Sequence, residues 1–214
     1  MKLNAFGKYK GWIEVICGPM FAGKSEELLR RINRFKYADI SYVLFKPKTD
    51  TRSSGCAKSR DGRVNNAIEV ETAQEILNYI NNSSQPINAV AIDEAQFFDD
   101  ELGSVCNQLA NKGIVVFAAG LDLDFKAVPF SSMTKLLAYA DHVTKLTAVC
   151  TICGAEATRS QRLIDGKPAS INDPIVQIGD KETYEARCIK CYELPDVKKK
   201  SKMAGFKLLQ FEHK

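Results

Sequence analysis

The sequence predicts an α/β fold: a mostly parallel sheet with helices on both faces, plus a small zinc-ribbon-like module. Three observations carry that expectation. Short apolar runs alternate with helical patterns through residues 12–149, the order that builds a parallel sheet covered on both sides. A glycine-rich turn, Gly18 to Gly23, joins the first apolar run to the first helical pattern. Two Cys-x-x-Cys pairs then follow, separated by 34 residues that show no long periodic segment.

Composition narrows the classes before any motif is considered. The chain has 214 residues, 45% hydrophobic and 26% charged, values of a folded globular protein rather than a disordered or collagen-like one. That length suits one domain, or one domain with an appendage. No apolar run approaches the ~18–20 residues of a membrane span. The apolar stretch Trp12 to Cys17 is short and broken by Glu14, unlike a secretory signal. A cytoplasmic protein is expected. Seven cysteines, an odd count, argue against a disulfide framework and direct attention to metal-ligand spacing.

The elements follow in order. Residues 1–11 read as a loose lead-in. Trp12 to Ile16 reads as a strand. From Lys24, Leu28, Ile32 and Phe35 recur at helical spacing. Tyr42 to Phe45 is a second strand, closed by Lys46-Pro47. Residues 48–66, polar and rich in Ser, Arg, Gly and Asn, read as a long loop of the kind that is usually functional. Thr72-Ala73-Gln74-Glu75 is a capping box that opens a helix running through Ile80. Ala89 to Ile92 is a buried-strand pattern with Asp93-Glu94 at its carboxyl end. A helix is predicted from Asp100 to Lys112, a strand from Ile114 to Ala119, a helix from Ser131 to Tyr139 and a strand from Val143 to Val149. The expected division is an α/β nucleotide-binding domain over 1–149, a zinc-binding domain over 150–194, and a basic, flexible tail over 195–214.

Gly18-Pro19-Met20-Phe21-Ala22-Gly23-Lys24-Ser25 fits G-x-x-x-x-G-K-[ST], with the strand before and the helix after that the pattern requires. In such a loop backbone N–H groups wrap the β-phosphate, helped by the positive helix end. Glycines allow the close approach. Lys24 bridges the β- and γ-phosphates, and Ser25 offers its hydroxyl to Mg²⁺. The α/β part is therefore P-loop NTPase-like. An acidic residue at a neighbouring strand end holds Mg²⁺ in such folds, which assigns Asp93 and leaves Glu94 for other work. The only histidines, His142 and His213, lie in no candidate motif. Glu94 is the natural base for an attacking hydroxyl or water; the plainer alternative is a cap or a salt bridge.

Cys150-x-x-Cys153 and Cys188-x-x-Cys191 suit four thiolates around a tetrahedral, structural Zn²⁺. Two pairs in one module favour metal over a redox role. The 34-residue excursion between them exceeds the usual ribbon spacing of ~15–20, so it is a candidate lid. Cys17, Cys56 and Cys106 read as ordinary small, mostly buried residues.

Four motifs in order, GPMFAGKS, DEAQFF (93–98), GLDLDF (120–125) and the two cysteine pairs, resemble the zinc-containing, type II or cytosolic-type thymidine kinase family over residues 12–194, roughly 85% of the chain. The resemblance implies transfer of the γ-phosphate of ATP to the 5′-hydroxyl of thymidine, and also of deoxyuridine. It implies ATP and Mg²⁺ at Gly18, Met20, Ala22, Gly23, Lys24, Ser25 and Asp93, with Glu94 as the base. Lys24 and Arg60 would act at the reacting phosphate. Met20, Phe97, Leu121 and Phe125 match the apolar pocket around the base and sugar. The excursion matches a lasso loop that covers the nucleoside, with Thr158, Gln177, Ile178 and Tyr184 at contact positions. Ala22 departs from the family, where serine is frequent. A homotetramer and feedback inhibition by thymidine triphosphate are carried over as well.

On the residues alone, Phe97 and Phe125 suit a flat base but equally suit plain core packing. A simple NTPase, or a kinase for another nucleoside, is one rival. The other is a zinc-ribbon nucleic-acid-binding ATPase, suggested by the net charge of +4. That charge is local. The tail holds six lysines against Asp196 and Glu212, so residues 1–195 sum to zero. Residues 154–187 carry five basic against six acidic side chains. No nucleic-acid or membrane partner is expected.

Overall fold

The computed structural model of the protein describes residues 11–48, 56–58, 64–175 and 182–194. Arg60, Gln177, Ile178 and the tail 195–214 lie outside them.

The chain runs β1 (Ile13–Cys17), α1 (Lys24–Tyr37), β2 (Tyr42–Pro47), β3 (Cys56–Lys58), β4 (Val64–Asn66), β5 (Ile68–Val70), α2 (Ala73–Asn81), β6 (Ala89–Ile92), a 3₁₀ turn (Ala95–Phe97), α3 (Leu102–Asn111), β7 (Val115–Gly120), α4 (Ser131–Tyr139) and β8 (His142–Lys145). Six of these strands form one parallel sheet in the order β5-β2-β6-β7-β1-β8. The alternation of strand side chains explains why the central strands are apolar throughout. Val15 of β1, Val90 and Ile92 of β6, and Val116 and Ala118 of β7 face a core closed by α2, α3 and α4. Ile16, Ala89, Ala91, Val115, Phe117 and Ala119 face the opposite core, which Leu28, Leu29, Ile32 and Phe35 of α1 close. The expected fold class is what the chain adopts.

Local signals placed most boundaries. Thr72 caps α2, its hydroxyl accepting the Glu75 N–H at 3.3 Å. On α1, Glu27 takes Arg30 and Arg31 in salt bridges of 2.6 and 2.8 Å. At Gly103 the helices α3 and α4 approach so closely that a Cβ would lie 2.9 Å from the Lys135 Cβ.

Three expectations need correction. The span 48–66 is not uniformly loop, because β3 and β4 pair antiparallel within it. β5, beside it, adds an edge strand that its three-residue length hid. The run Val143 to Val149 is not one strand. β8 ends at Lys145, beside β1. β9 (Ala148–Val149) pairs instead with β10 (Glu156–Ala157) in a separate antiparallel sheet. The last bond of the parallel ladder is Leu146 N donating to Cys17 O at 2.8 Å, where the glycine-rich turn begins.

Beyond β10 come β11 (Arg159–Ile164), β12 (Lys167–Pro168) and β13 (Glu182–Arg187), a three-stranded antiparallel sheet in the order β12-β11-β13. The β11–β12 turn uses Asp165 and Gly166, both at positive φ. No helix among the described residues is long and apolar enough to cross a membrane.

Candidate active site and metal centre

The glycine-rich turn occupies the place its pattern requires. β1 ends at Cys17, α1 begins at Lys24, and Gly18 and Gly23 take φ values of 141° and 79°. Both lie in the region that favours glycine. Gly23 O accepts the Glu27 N–H at 3.0 Å, starting the helix. Lys24 folds back along the loop, its Nζ donating to Pro19 O at 2.8 Å.

At the end of β6, Asp93 is buried, 7% exposed. Its Oδ1 accepts from the Ser25 hydroxyl at 3.1 Å and from the Glu94 N–H at 3.0 Å. The loop hydroxyl and the strand-end carboxylate therefore meet. Burial, and next the Glu94 carboxylate, push the Asp93 pKa up to about 7. Burial pulls Lys24 down, opposed first by Glu94, then by Asp93 and Asp122. A carboxylate and a lysine that each lack full solvation, side by side, are suited to taking a cation and polyphosphate in place of water.

Glu94 itself sits at φ 51°, ψ 41°, a left-handed conformation costing a non-glycine residue about 1 kcal/mol. The 3₁₀ turn that follows fixes it, through Phe97 N donating to Glu94 O at 3.1 Å. After this turn both carboxylates act on Lys24, opposing the fall of its pKa, whereas a continuing strand would send them to opposite faces.

Gln96 was not singled out by the sequence. It is 4% exposed; its Nε2 donates to Glu94 Oε2, and its Oε1 accepts from Leu121 N at 2.9 Å. One buried amide thus aims the carboxylate and secures the GLDLDF segment. Gly120 makes room for it, since a Cβ there would lie 2.8 Å from Gln96 Oε1. Asp122, on the same segment, holds Lys145 of β8 at 2.8 Å. Neither residue carried a sequence signal beyond being polar within an apolar stretch.

The predicted base-pocket residues come from two sides. Phe97 meets Phe130 edge-on, ring centroids 6.4 Å apart. Phe125 is buried, with the Arg162 guanidinium 5.0 Å from its ring centre. Arg162 stands opposite Tyr184 in the β11–β13 register. Ser160 and Arg162 project from the same face of β11, and Ser160 Oγ accepts the Met20 N–H at 3.0 Å. Thr158, just before β11, donates its N–H to Arg187 O at 3.2 Å, and its carbonyl and hydroxyl oxygens accept from Arg159. Tyr192, also missed, donates its hydroxyl to Phe125 O.

The four cysteines come together as predicted. Their sulfurs all lie within 4.8 Å of one another, and Cys153 and Cys188 are 3.6 Å apart. Tetrahedral zinc at ~2.3 Å needs sulfurs about 3.8 Å apart. Backbone N–H groups point at two of them. The Cys188 N–H leads in pulling the Cys150 thiol down to about 6, with Cys153 and Ile152 assisting, and the Cys191 and Lys190 N–H groups lower Cys188. Hydrogen bonds that the Cys191 thiol donates to Cys153 and Cys188 push it up to about 12. Four thiols this close cannot all ionise without a cation, so the donor set fits Zn²⁺. Four protein ligands would fill the shell of such an ion, the arrangement of a structural site.

Comparison with known proteins identifies the family. The thymidine kinase family model matches residues 11–192. The thymidine kinase of Ureaplasma parvum serovar 3 is 53% identical over 197 residues, covering 91% of this chain and 88% of its own. That of Mycoplasmoides gallisepticum is 48% identical over 196 residues, covering 91% and 87%. Among solved structures, the Legionella pneumophila ATPase DotB aligns with a TM-score of 0.41 and 14% identity, over 69% of this chain and 44% of that one; at that level the likeness bears on neither function nor mechanism. With a family model spanning most of its length and relatives near half identity, the chain belongs to the thymidine kinase family.

Proposed function

We propose that the protein transfers the γ-phosphate of ATP to the 5′-hydroxyl of thymidine, and of deoxyuridine, giving the 5′-monophosphate and ADP. The single observation that supports this most is the convergence of Lys24, Ser25, Asp93 and Glu94 at the glycine-rich turn, in a chain of this family.

The roles follow from the chemistry. Gly18, Met20, Ala22 and Gly23 shape the loop whose N–H groups bind phosphate. Lys24 leaves Pro19 O to neutralise charge on the β- and γ-phosphates. Ser25 and Asp93 hold Mg²⁺, which when bound offsets charge on the polyphosphate. Glu94 accepts the 5′-hydroxyl proton as the oxygen bonds to the γ-phosphorus and the bond to the β-phosphate oxygen breaks. Gln96 keeps that carboxylate aimed. Arg60 stabilises the transferring phosphoryl group. Met20, Phe97, Leu121, Phe125, Thr158, Gln177, Ile178 and Tyr184 hold the base and sugar beneath the lasso. Closure of such a loop excludes water and limits ATP hydrolysis. Residues 1–149 act as the catalytic domain and 150–194 as the zinc-bearing lasso domain. A cytoplasmic homotetramer, inhibited by thymidine triphosphate, completes the reading.

A panel of nucleosides supplied with ATP, scored for monophosphate, tests it. Thymidine and deoxyuridine are expected to be phosphorylated and purine nucleosides rejected by ~10⁴-fold or more, because a site built on backbone hydrogen bonds excludes the wrong donor pattern. No thymidine-dependent release of ADP would overturn the proposal.

A further inference from the structure

The phosphate loop meets the zinc-bearing module at Met20 and Ala22, and the segment that leads into that module at Gly18. At its start, Gly18 lies against the backbone that leads into the first cysteine knuckle, and a Cβ on Gly18 would come within 2.3 Å of Leu146 O. In its middle, Met20 donates its N–H to the Ser160 hydroxyl of β11 at 3.0 Å. Towards its end, Ala22 packs against a small apolar cluster of Ala148, Cys150, Ala157, Ala186 and Cys188. Two of those five residues are metal-ligand candidates. The loop therefore rests on the core that the cysteine knuckles themselves build.

We propose that the zinc-bearing module is a positioning element for the phosphate loop, with Ser160 its hydrogen-bonding residue, so that nucleotide affinity depends on zinc before any nucleoside binds. The physical argument has two links. A loop that binds phosphate through backbone N–H groups works only when those groups converge beforehand; ordering them on binding subtracts from affinity. Among the described residues, the cluster around the cysteine knuckles is built of alanines and cysteines only, with little apolar area to hold its shape alone. A metal bridging both knuckles supplies the missing constraint. Losing it frees Cys150 and Cys188 to separate, and Ala22 and Met20 lose their supports together.

The inference rests on the reading of Gly18 to Ser25 as the ATP site, and not on which nucleoside is phosphorylated. The test is equilibrium binding of a fluorescent ribose-tagged ATP with Mg²⁺ to the full chain, with no nucleoside present. It compares the zinc-loaded parent, Ser160→Ala, Ser160→Thr, and protein stripped of zinc by a chelator and then reloaded. Ser160→Ala is expected to weaken binding about 3- to 10-fold, the range of one lost hydrogen bond, while Ser160→Thr stays within about 2-fold of the parent. Stripping should weaken binding further, and reloading should restore it. In the stripped protein the Ser160→Ala effect should vanish, because both changes act through one support. Stripped protein that keeps its circular dichroism and binds ATP as tightly as the parent overturns the proposal. If stripping unfolds the chain, Ser160→Ala decides alone: unchanged ATP affinity overturns the proposal, and a loss rescued by threonine supports it. Failure of the zinc-loaded parent to bind ATP would instead overturn the ATP-site reading.

Discussion

Glu94 is held in a left-handed backbone conformation by its neighbours, and that local strain is what makes a consecutive Asp-Glu pair useful. In a strand the two carboxylates would point to opposite faces of the sheet. Here the chain breaks at the strand end, and both carboxylates oppose the fall of the Lys24 pKa. The pair itself was legible in the sequence, since two acidic residues ending an apolar strand have few structural reasons to be there. Gln96 was not legible, because its second partner, Leu121, is distant in sequence and is met only when β6 and β7 pair. Gln96→Leu removes the donor that aims Glu94 and leaves the half-buried Leu121 N–H without its acceptor. The expected outcome is a loss of about 1–3 kcal/mol in stability and a fall in kcat larger than any rise in the KM for ATP. Urea melts alongside steady-state kinetics would check both; a variant with normal kcat would show that Glu94 needs no such support.

At the scale of elements, α1 and the buried strands could be read from periodicity because burial on one or both faces dictates their side chains. β3, β4 and β5 could not. Each is only three residues long, too short for a period-2 pattern to separate from chance. The split of Val143–Val149 was hidden for a different reason. The stretch Val-Thr-Lys-Leu-Thr-Ala-Val reads the same whether its residues pair with β1 or with β10. The cysteine knuckles were the most legible element of all, since metal-ligand geometry allows few spacings. Ser160 and Arg162 were invisible beside them, because their partners Met20 and Phe125 lie on other elements. Cys153→Ser replaces one thiolate of the four. Zinc content measured by atomic emission is expected to fall well below one ion per chain, with a lower melting temperature. Unchanged zinc content would rule out the four-thiolate site.

Over the whole molecule, the net charge of +4 could suggest a polyanion partner, yet residues 1–195 are neutral. With four thiolates around one Zn²⁺ they would carry about −2. The features that matter instead lie at the carboxyl ends of β1, β6 and β7, where a parallel sheet gathers its site residues. One edge of that site is the glycine-rich turn, and the other is the β11 face carrying Ser160 and Arg162. The glycine-rich turn and the GLDLDF segment each meet the cysteine-bearing part of the chain, at Met20 and at Phe125. Glu94 is proposed to take the proton from the thymidine 5′-hydroxyl at a site that binds ATP without it. The most direct measurement is the rate of thymidine monophosphate formation by the parent and by Glu94→Gln, with ATP affinity determined for each. The account predicts a fall in turnover of ~10² or more with ATP affinity little changed. Near-parental turnover in Glu94→Gln would contradict it.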